Sequence, residues 1–446
     1  MTENKGKKIH LISLGCSKNL VDSERMLYSF LQKGWELTQE AEEADLILVN
    51  TCGFIDPAKQ EAIDTLLEMD AVRKEGALLV AAGCMAQRYP EELYEQMPEI
   101  DLVIGIDQCE EIADWAEAFD GREIIRKEPD RVYHSGKRVY TGAVHYAYVR
   151  IADGCDNFCS YCAIPGIRGR YRSRAPHEIM EEVRQLAEQG VTEIILIAQD
   201  TTRYGSDLKN GEDLNGLLQE IAAVDGIRWI RFLYAYPEKL TDEILDTMIR
   251  EEKICRYVDI PIQHCNDRIL KKMNRKVTRA QLDALMQKLR RNGFTVRTTV
   301  MTGFPGETEE EHEELLEFLQ KNRFDRLGAF AFCPEDGTPA ARMPDQIPEE
   351  TKARRLEEIM LQQQGISYEN NRERIGTVCE CVIDGFDEER CEAIARSREE
   401  VPDVDGVIRI DWSGIGADPV PGMMFDVRIT DATPYDLIGR LNDDEE

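Results

Sequence analysis

Short apolar segments alternate with longer amphipathic ones over most of this 446-residue chain, and this alternation constrains the fold more than any other feature. In the first 135 residues the apolar segments are IHLISLG, DLILVNT, ALLVAAG and DLVIGI, with helical stretches such as SERMLYSFLQKG between them. Continuous apolar strands between amphipathic helices are typical of a parallel sheet that is covered on both faces. We therefore predict an α/β domain with a parallel sheet over residues 1–135.

The same alternation continues between about residues 140 and 345. Six further strands are predicted, in YAYVRIADG, EIILIAQD, IRWIRFLYA, YVDIPIQH, FTVRTTVMTG and RLGAFAFC. Helices are predicted between them, including 177–188, 278–291 and 308–320. Six βα units fit a partial (βα)6 barrel better than a complete eight-unit barrel. A long helix at 350–372 completes this predicted domain, which we place at 140–372.

The last part of the chain, 375–446, has a different character. Short segments with β propensity, such as TVCECVIDG, GVIRIDW and MMFDVRITDA, are separated by Gly and Asp turns, which predicts a small antiparallel β-barrel. From residue 376 onward there are nineteen acidic residues against six arginines and no lysine, a net charge of −13. Such a surface is poorly suited to the phosphates of a nucleic acid and well suited to a basic protein.

The whole chain has a formal charge of −31, and it contains no run of eighteen apolar residues. We expect neither membrane association nor direct sequence-specific binding of nucleic acid. The first residues, MTENKGKKIHL, lack the apolar region of a signal peptide, so a cytoplasmic location is expected.

Three of the thirteen cysteines lie in GCDNFCSYCAIPGIRGR, residues 154–170, with the spacing Cys155-x3-Cys159-x2-Cys162. A cytosolic location disfavours disulfides, so clustered cysteines indicate metal ligation or catalysis. Four cysteines close an iron–sulfur cubane, whereas three leave one iron with an exchangeable position. A structural zinc site is the alternative, but no second C-x2-C pair is present and the nearest histidine, His177, falls in the next predicted helix.

Another set of three cysteines is dispersed through the first domain; it is called the first cysteine set, because it precedes the second cysteine set, Cys155, Cys159 and Cys162, in the chain. Cys16, Cys52 and Cys84 follow ISLG, LVNT and VAAG, each at the carboxyl end of a predicted parallel strand. Such strand ends line one crevice in an open α/β sheet, which predicts a second three-cysteine cluster site. Ordinary buried cysteines are the alternative. The other seven cysteines are not predicted to be ligands, and Cys379 and Cys381 are expected in the core of the small barrel.

Four arginines alternate just after the second cysteine set, at positions 168, 170, 172 and 174. In an extended segment they would form one basic face over the barrel mouth and could hold a cofactor carboxylate or an acidic substrate. Structural ion pairs in this acidic protein are an equally good explanation. His264, at a predicted strand end, is expected to line the site without being a ligand.

A C-x3-C-x2-C loop after the first strand of a six-unit barrel resembles the radical S-adenosylmethionine enzymes. The resemblance implies that S-adenosylmethionine binds the open iron of a [4Fe–4S] cluster and is cleaved by one electron to a 5′-deoxyadenosyl radical. It also implies contacts to this cofactor from six residues, which are Tyr161, Gln199, Asp200, Gln263, Gly303 and Pro305. Gly303 and Gly306 could equally be turn glycines.

With its other two domains, the chain resembles the methylthiotransferases over nearly its whole length, and the tail then corresponds to a TRAM domain. One branch of that family modifies a tRNA adenosine; the other modifies an aspartate of ribosomal protein uS12. The segments SLGCSKNLVDSE, DIPIQHCNDRILKKMNR and YDLIGR are similar to the second branch. The tRNA branch typically has GCQMN at the first cysteine, where this chain has GCSKN.

The resemblance implies a transferase that inserts a methylthio group at the β-carbon of an aspartate in uS12. It implies two [4Fe–4S] clusters, S-adenosylmethionine, sulfide as a possible sulfur donor, and a reductant such as flavodoxin or ferredoxin. The basic ribosomal protein is expected to dock on the acidic TRAM domain. Both open irons must then face one cavity, so the strand ends of the first two domains should pack together.

Three alternative functions are a tRNA methylthiotransferase, another radical enzyme that does not need Cys16, Cys52 and Cys84, and a non-catalytic iron–sulfur carrier.

Overall fold

The computed structural model describes residues 6–129, 132–133, 136–209, 211–413 and 418–442. The N-terminal part contains six strands and five helices, which are β1 Lys8–Ser13, α1 Ser17–Gln32, β2 Glu36–Leu37, β3 Leu46–Thr51, α2 Asp56–Val72, β4 Leu78–Gly83, α3 Cys84–Arg88, α4 Pro90–Gln96, β5 Leu102–Ile104, α5 Ile112–Glu117 and β6 Glu123–Ile125.

These six strands form one parallel sheet in the order β2-β1-β3-β4-β5-β6. Every residue of the central strand β3 is buried, as its continuous apolar sequence predicts. The predicted parallel-sheet domain is confirmed. The sequence did not reveal β2 and β6, because two- and three-residue strands are too short to show a periodic pattern.

Within the described residues, the middle part contains eight strands and eight helices. They are β7 Tyr146–Arg150, β8 Ala152–Asp153, α6 Ile164–Arg168, β9 Arg172–Ser173, α7 Pro176–Glu188, β10 Glu193–Ile197, α8 Leu214–Ala222, β11 Trp229–Phe232, α9 Asp242–Arg250, β12 Tyr257–Gln263, α10 Asp267–Lys272, α11 Arg279–Arg291, β13 Thr295–Thr302, α12 Glu309–Asn322, β14 Arg326–Ala331 and α13 Glu349–Glu373.

Six of these strands form an open half-barrel. The orders β11-β10-β7 and β12-β13-β14 are both parallel, and the Ala235 N–H donates to the Asp259 carbonyl at 2.9 Å where the two halves meet. The predicted partial (βα)6 barrel is confirmed. Thr278 and Thr308 begin α11 and α12 with capping boxes, which satisfy otherwise unpaired N–H groups of the first turn.

The C-terminal part is a closed five-stranded barrel in the order β15-β16-β17-β19-β18. Its strands are β15 Val378–Asp387, β16 Glu392–Ser397, β17 Ile408–Asp411, β18 Met424–Ala432 and β19 Leu437–Leu441. The predicted small β-barrel is confirmed, and its pairs are antiparallel except for the parallel pair of β17 and β19. The domain boundaries 1–135, 140–372 and 375–446 stay a prediction.

The open side of the half-barrel is covered by elements from both ends of the chain. One apolar cluster joins Val21 of α1, the barrel residues Tyr148 and Trp229, and Val382 and Val401 of the C-terminal part. The three parts therefore share a core. No helix among the described residues is both long and apolar enough to cross a membrane.

Buried ion pairs fix the C-terminal barrel against the half-barrel. Glu400, 2% exposed in its side chain, accepts a hydrogen bond from Arg326 at 3.0 Å and pairs with Arg374, while Ser397 donates to its other oxygen. Burial opposes ionisation of Glu400, but the two arginines outweigh it and lower its pKa to about 2.

Replacement of Glu400 by Gln should lower the free energy of unfolding by about 3 kcal/mol near neutral pH, because two buried guanidinium groups lose their carboxylate. The folded-state pKa is depressed, so this contribution is present above the ordinary glutamate value of 4.5 and is lost as the pH falls toward 2. Thermal or urea unfolding at several pH values measures the difference. The control Glu388→Gln changes an exposed glutamate of the same barrel and should leave stability unchanged; an equal loss in both variants would contradict the prediction.

Candidate active site: two sets of three cysteines

The second cysteine set lies on a loop that is fixed at several points beyond the end of β8. Gly154 has φ +75°, and a Cβ there would lie 2.1 Å from the Arg170 carbonyl oxygen, so only glycine fits. The Cys155 N–H donates to the Gly169 carbonyl at 3.1 Å. In the same loop, the Ser160 N–H donates to the Met273 carbonyl at 3.0 Å. These bonds hold the loop in place over the barrel mouth.

Polar groups surround the sulfur atoms of this loop. Asn157 Nδ2 donates to Cys155 Sγ at 3.5 Å, Arg275 Nη1 lies 3.9 Å from Cys159 Sγ, and the Tyr236 hydroxyl lies 3.6 Å from the same sulfur. Burial raises the pKa of Cys155 to about 11, and the charge of Asp200 acts in the same direction. A neutral thiol is therefore favoured until a metal replaces the proton.

Arg275 supports a negatively charged occupant at this loop. It is 6% exposed, lies over the Tyr236 ring at 4.2 Å and donates to the Pro261 carbonyl at 2.7 Å. No carboxylate forms an ion pair with it in the described part of the chain. A buried guanidinium requires an anion, and a cluster held by three thiolates would provide one.

The first cysteine set is brought together by the strand ends of the N-terminal sheet. Cys16 precedes α1, Cys52 follows β3, and Cys84 is the first residue of α3. A Cβ on Gly15 would lie 3.1 Å from Cys52 Sγ, and a Cβ on Gly53 would lie 3.0 Å from the carbonyl carbon of Cys84. The structure thus places the three cysteines side by side, as the parallel-sheet argument predicts.

Arg168 connects this set to the barrel. Its Nη2 donates to Cys84 Sγ at 3.2 Å and to Asn19 Oδ1 at 2.8 Å, and its Nη1 donates to Asp22 Oδ2 at 2.7 Å. Asn19 is itself fixed, because its Nδ2 donates to the carbonyls of Leu14 and Thr51. A guanidinium beside a cysteine sulfur is the type of neighbour that stabilises a thiolate ligand.

The ionisation of this set reflects burial and mutual repulsion. Burial raises the pKa of Cys84 to about 11; Cys16 and Cys52 raise it further, while Arg168 opposes them. Burial also acts on Cys16, but Lys18 and the N–H of Asn19 outweigh it and lower its pKa. The three groups interact electrostatically, which is consistent with a shared ligand.

The spacing of the sulfur atoms in neither cysteine set fits a site for a single metal ion. Among the described residues, only Asp56, Cys333 and Glu335 place three ligand atoms within 4.8 Å of one another, and Lys59 and Arg88 already pair with that group. One tetrahedral zinc at its usual bond length would hold three sulfurs about 3.8 Å apart. The wider spacing in both cysteine sets fits an iron–sulfur cluster better.

Two predicted cofactor contacts lie beside the cysteine loop. Gln199 Nε2 donates to Asp153 Oδ1 at 2.7 Å, while its Oε1 is buried and has no partner among the described residues. Such an acceptor fits the amino group of S-adenosylmethionine. Asp200 is fully buried, accepts from Asn157 Nδ2 at 2.8 Å and pairs with Lys239, so its carboxylate already fixes the loop.

The other predicted contacts have different surroundings. Tyr161 is half-buried and packs against an apolar cluster that includes Met273 and Phe304. Gln263 ends β12 with φ +70°. The space that a Cβ on Gly303 would fill is taken by the side chain of Lys352, and the Pro305 carbonyl accepts from Lys272 Nζ at 3.3 Å. The backbone of Gly303 therefore lies close to the Lys352 side chain of α13.

The alternating arginines are mostly structural. Arg168 lies in α6, not in an extended strand, and Arg168 and Arg172 are both buried against Asp153. Arg174 pairs with Glu182, and only Arg170 is largely exposed. The ion-pair explanation applies to all four, although the pair of Arg170 with Asp156 at 3.4 Å is exposed. His264 is fully buried, and its Nδ1 accepts from the Asn266 N–H at 2.9 Å.

Sequence reasoning missed the residues that surround the sulfurs, which are Lys18, Asn157, Arg168 as a contact of Cys84, Tyr236 and Arg275. Asn157 and Arg168 lie within the quoted cysteine segment and could have been singled out by proximity. Arg275 and Tyr236 come from distant segments, and only the barrel topology brings them to the loop.

The two cysteine sets face each other across the domain contact. Asp153, two residues before Cys155, pairs with Arg168 at 3.6 Å, and Arg168 contacts Cys84. Arg150 at the end of β7 pairs with Asp22 of α1 at 2.7 Å. The strand ends of the two sheets are therefore packed together, as a shared reaction site requires.

Three family models match this chain in succession. An uncharacterized protein family, UPF0004, matches residues 8–105, the radical SAM superfamily matches 149–319, and the TRAM domain matches 375–441. Among solved structures, the radical S-adenosylmethionine methyltransferase TsrM from Kitasatospora setae, with cobalamin and a [4Fe–4S] cluster bound, aligns with a TM-score of 0.55 at 17% identity over 75% of this chain and 77% of its own. This similarity shows a common fold. The chain is a radical S-adenosylmethionine protein.

Its curated relatives define the family more narrowly. "Ribosomal protein uS12 methylthiotransferase RimO" from Clostridium botulinum (strain Loch Maree) is 44% identical over 97% of both chains. The protein of that name from Geotalea uraniireducens is 43% identical over 98% of both chains. The one from Caldicellulosiruptor saccharolyticus is 45% identical over 97% of this chain and 99% of its own. The chain belongs to the uS12 methylthiotransferase family.

The predicted family is confirmed, and the tRNA alternative is not favoured. The chain is a radical S-adenosylmethionine methylthiotransferase. Enzymes of this class use [4Fe–4S] clusters and S-adenosylmethionine, so these predicted cofactors are confirmed as well, whereas sulfide as the sulfur donor stays a prediction. The assignment of individual residues to them stays a prediction.

Replacement of Cys155 by Ala should remove about half of the iron from the anaerobically reconstituted protein, leaving roughly four atoms per chain, because each cysteine set is predicted to hold one four-iron cluster. Cys16→Ala should give the same loss. Iron and sulfide analysis with electron paramagnetic resonance of the reduced protein measures both. The control Cys391→Ala changes an exposed cysteine and should retain all the iron. Unchanged iron in either ligand variant would refute the assignment.

Proposed function

We propose that this protein inserts a methylthio group at the β-carbon of an aspartate in ribosomal protein uS12. The observation that carries the proposal is the pairing of two three-cysteine sets through Arg168 in a chain of this family. The overall reaction replaces one C–H bond of the aspartate by C–S–CH3. Such a carbon is unactivated for acid–base chemistry, which explains the need for radical chemistry.

The six cysteines Cys16, Cys52, Cys84, Cys155, Cys159 and Cys162 are proposed as the cluster ligands. When bound, the clusters and S-adenosylmethionine supply the electron, the hydrogen-abstracting radical and the methyl group. Arg275 and Arg168 offset the negative charge of the thiolates.

The unpaired Oε1 of Gln199 accepts from the amino group of S-adenosylmethionine, and Tyr161 packs beside its adenine. Gln263, Gly303 and Pro305 complete the proposed cofactor contacts, and Asp200 acts by fixing Asn157 in the loop. Exogenous sulfide is a proposed source of the inserted sulfur.

The acidic C-terminal barrel is the proposed docking surface for uS12. Part of its charge is structural, because Glu380, Asp384, Glu400 and Asp405 face cations of the half-barrel or of the barrel itself. Other carboxylates point to solvent, and these are Glu388, Glu389, Asp411, Asp418, Asp426 and Asp431. An outward acidic surface attracts a basic ribosomal protein and raises the association rate.

An acidic electron carrier such as flavodoxin or ferredoxin is the proposed reductant. Phe158, between Cys155 and Cys159, is 44% exposed, and the exposed Arg170 lies 4.7 Å from its ring. Asn274 donates to the Phe158 carbonyl and accepts from the exposed Lys276. An aromatic group with cations around it, on an otherwise acidic protein, suits an acidic donor close to the cluster loop.

The decisive experiment incubates the reconstituted protein with reductant, sulfide, S-adenosylmethionine and purified uS12 without oxygen. Mass spectrometry should find one aspartate heavier by one SCH2 unit, and fragmentation locates it. Cys16→Ala and Cys155→Ala should each abolish the product, whereas Cys391→Ala should form it normally. A gain on bulk tRNA with none on uS12 would overturn the proposal.

Charge reversal tests the docking surface. Glu388→Lys combined with Glu389→Lys should reduce kcat/KM for uS12 about tenfold at low salt, because electrostatic steering acts mainly on the association rate. The deficit should shrink at high ionic strength as the charges are screened. Steady-state kinetics at several salt concentrations measures this. The control pair Glu91→Lys and Glu92→Lys reverses two exposed glutamates of α4, and an equal effect there would argue against a specific surface.

A further inference from the structure

We propose that Lys18 binds the side-chain carboxylate of the target aspartate and thereby selects the residue that is modified. This inference rests on the proposed function and adds a recognition residue to it. Lys18 is a substrate-binding group in this account, distinct from the cysteines that hold the clusters.

Lys18 is a buried cation with no carboxylate partner among the described residues. It is 8% exposed, and no carboxylate forms an ion pair with it within the described ranges. Lys352 is the other buried lysine among the described residues, and it pairs with Glu349 at 2.7 Å. Buried charges are costly unless they are paired, so the exception at Lys18 points to a partner that arrives from outside.

The position of Lys18 suits a substrate group. It lies in the first turn of α1, two residues after Cys16. Its Nζ lies 3.2 Å from the centroid of the Tyr234 ring, and Tyr234 follows β11 at the mouth of the barrel. The ammonium group therefore lies between the first cysteine set and the barrel, where the substrate aspartate must come.

Both neighbours of this ammonium group are held rigidly. Tyr234 has φ +64°, an unfavourable conformation for a non-glycine residue, and its N–H donates to Asp259 Oδ2 at 3.0 Å. Asn19, next to Lys18, is fixed by the carbonyls of Leu14 and Thr51. A rigidly held cation distinguishes a correctly placed carboxylate from other side chains better than a cation on a mobile loop does.

A counter-charge for the first cysteine set is the competing role for Lys18. Lys18 does lower the pKa of Cys16, but the direct contact between a cation and a sulfur of this set is made by Arg168, whose guanidinium donates to Cys84 Sγ. Lys18 instead directs its ammonium to the Tyr234 ring. An adenine base would offer no negative charge to this group, whereas an aspartate would.

A double-mutant cycle measures the interaction between Lys18 and the target carboxylate. Equilibrium binding to the reconstituted enzyme is measured for uS12 and for uS12 in which the aspartate located by mass spectrometry is changed to Asn. The unchanged enzyme should bind the aspartate form about tenfold or more tightly than the asparagine form, as expected for a charged hydrogen bond. Lys18→Met should bind both forms equally, with iron content unchanged.

Lys33→Met is the matched control, because Lys33 ends the same helix and pairs with Glu117 at 3.0 Å away from the cysteines. It should retain the preference for aspartate. The inference fails if Lys18→Met keeps that preference, or if the variant loses the iron of one cluster, which would make Lys18 a counter-ion. In both cases the unchanged enzyme still modifies uS12, so these failures are distinguishable from failure of the proposed function.

Discussion

The position of the active site depends on one buried network of arginines and carboxylates between the first two domains. Arg168 bridges Asp22 of the N-terminal part and Asp153 of the barrel, and the same guanidinium contacts Cys84. Arg150 adds a second pair to Asp22. Because every member is almost fully buried, loss of one partner leaves an uncompensated charge, so the two cysteine sets are held at a fixed separation.

This network also explains how a strongly acidic chain organises its relatively few cations. Arginines are concentrated where parts of the chain meet: Arg168 and Arg172 at the first contact, and Arg231, Arg326 and Arg374 at the second. The planar fork of arginine binds a carboxylate and a carbonyl together, which suits contacts between domains. The outward face is thereby left with its carboxylates, and the overall charge is available for attraction of a basic partner.

The sequence predicted the architecture well, because the apolar strands and their helices carry strong periodic signals. The helices predicted at 177–188 and 308–320 agree with α7 and α12, and the convergence of Cys16, Cys52 and Cys84 follows from parallel topology alone. The polar groups around the sulfurs could not be predicted in this way. Arg275 and Tyr236 reach the loop through tertiary packing, and the arginine after the loop was expected in an extended segment, whereas Arg168 lies in a helix.

The apolar cluster that closes the half-barrel has a consequence for biosynthesis. Val21 and Val401 pack in the same cluster although almost the whole chain lies between them. During translation, the barrel strands therefore leave the ribosome long before their interior can be sealed, and long-range contacts of this kind form late. The interior of the half-barrel is therefore sealed only after the C-terminal barrel has been synthesised, so the order in which the parts of the chain assemble is set by the fold itself.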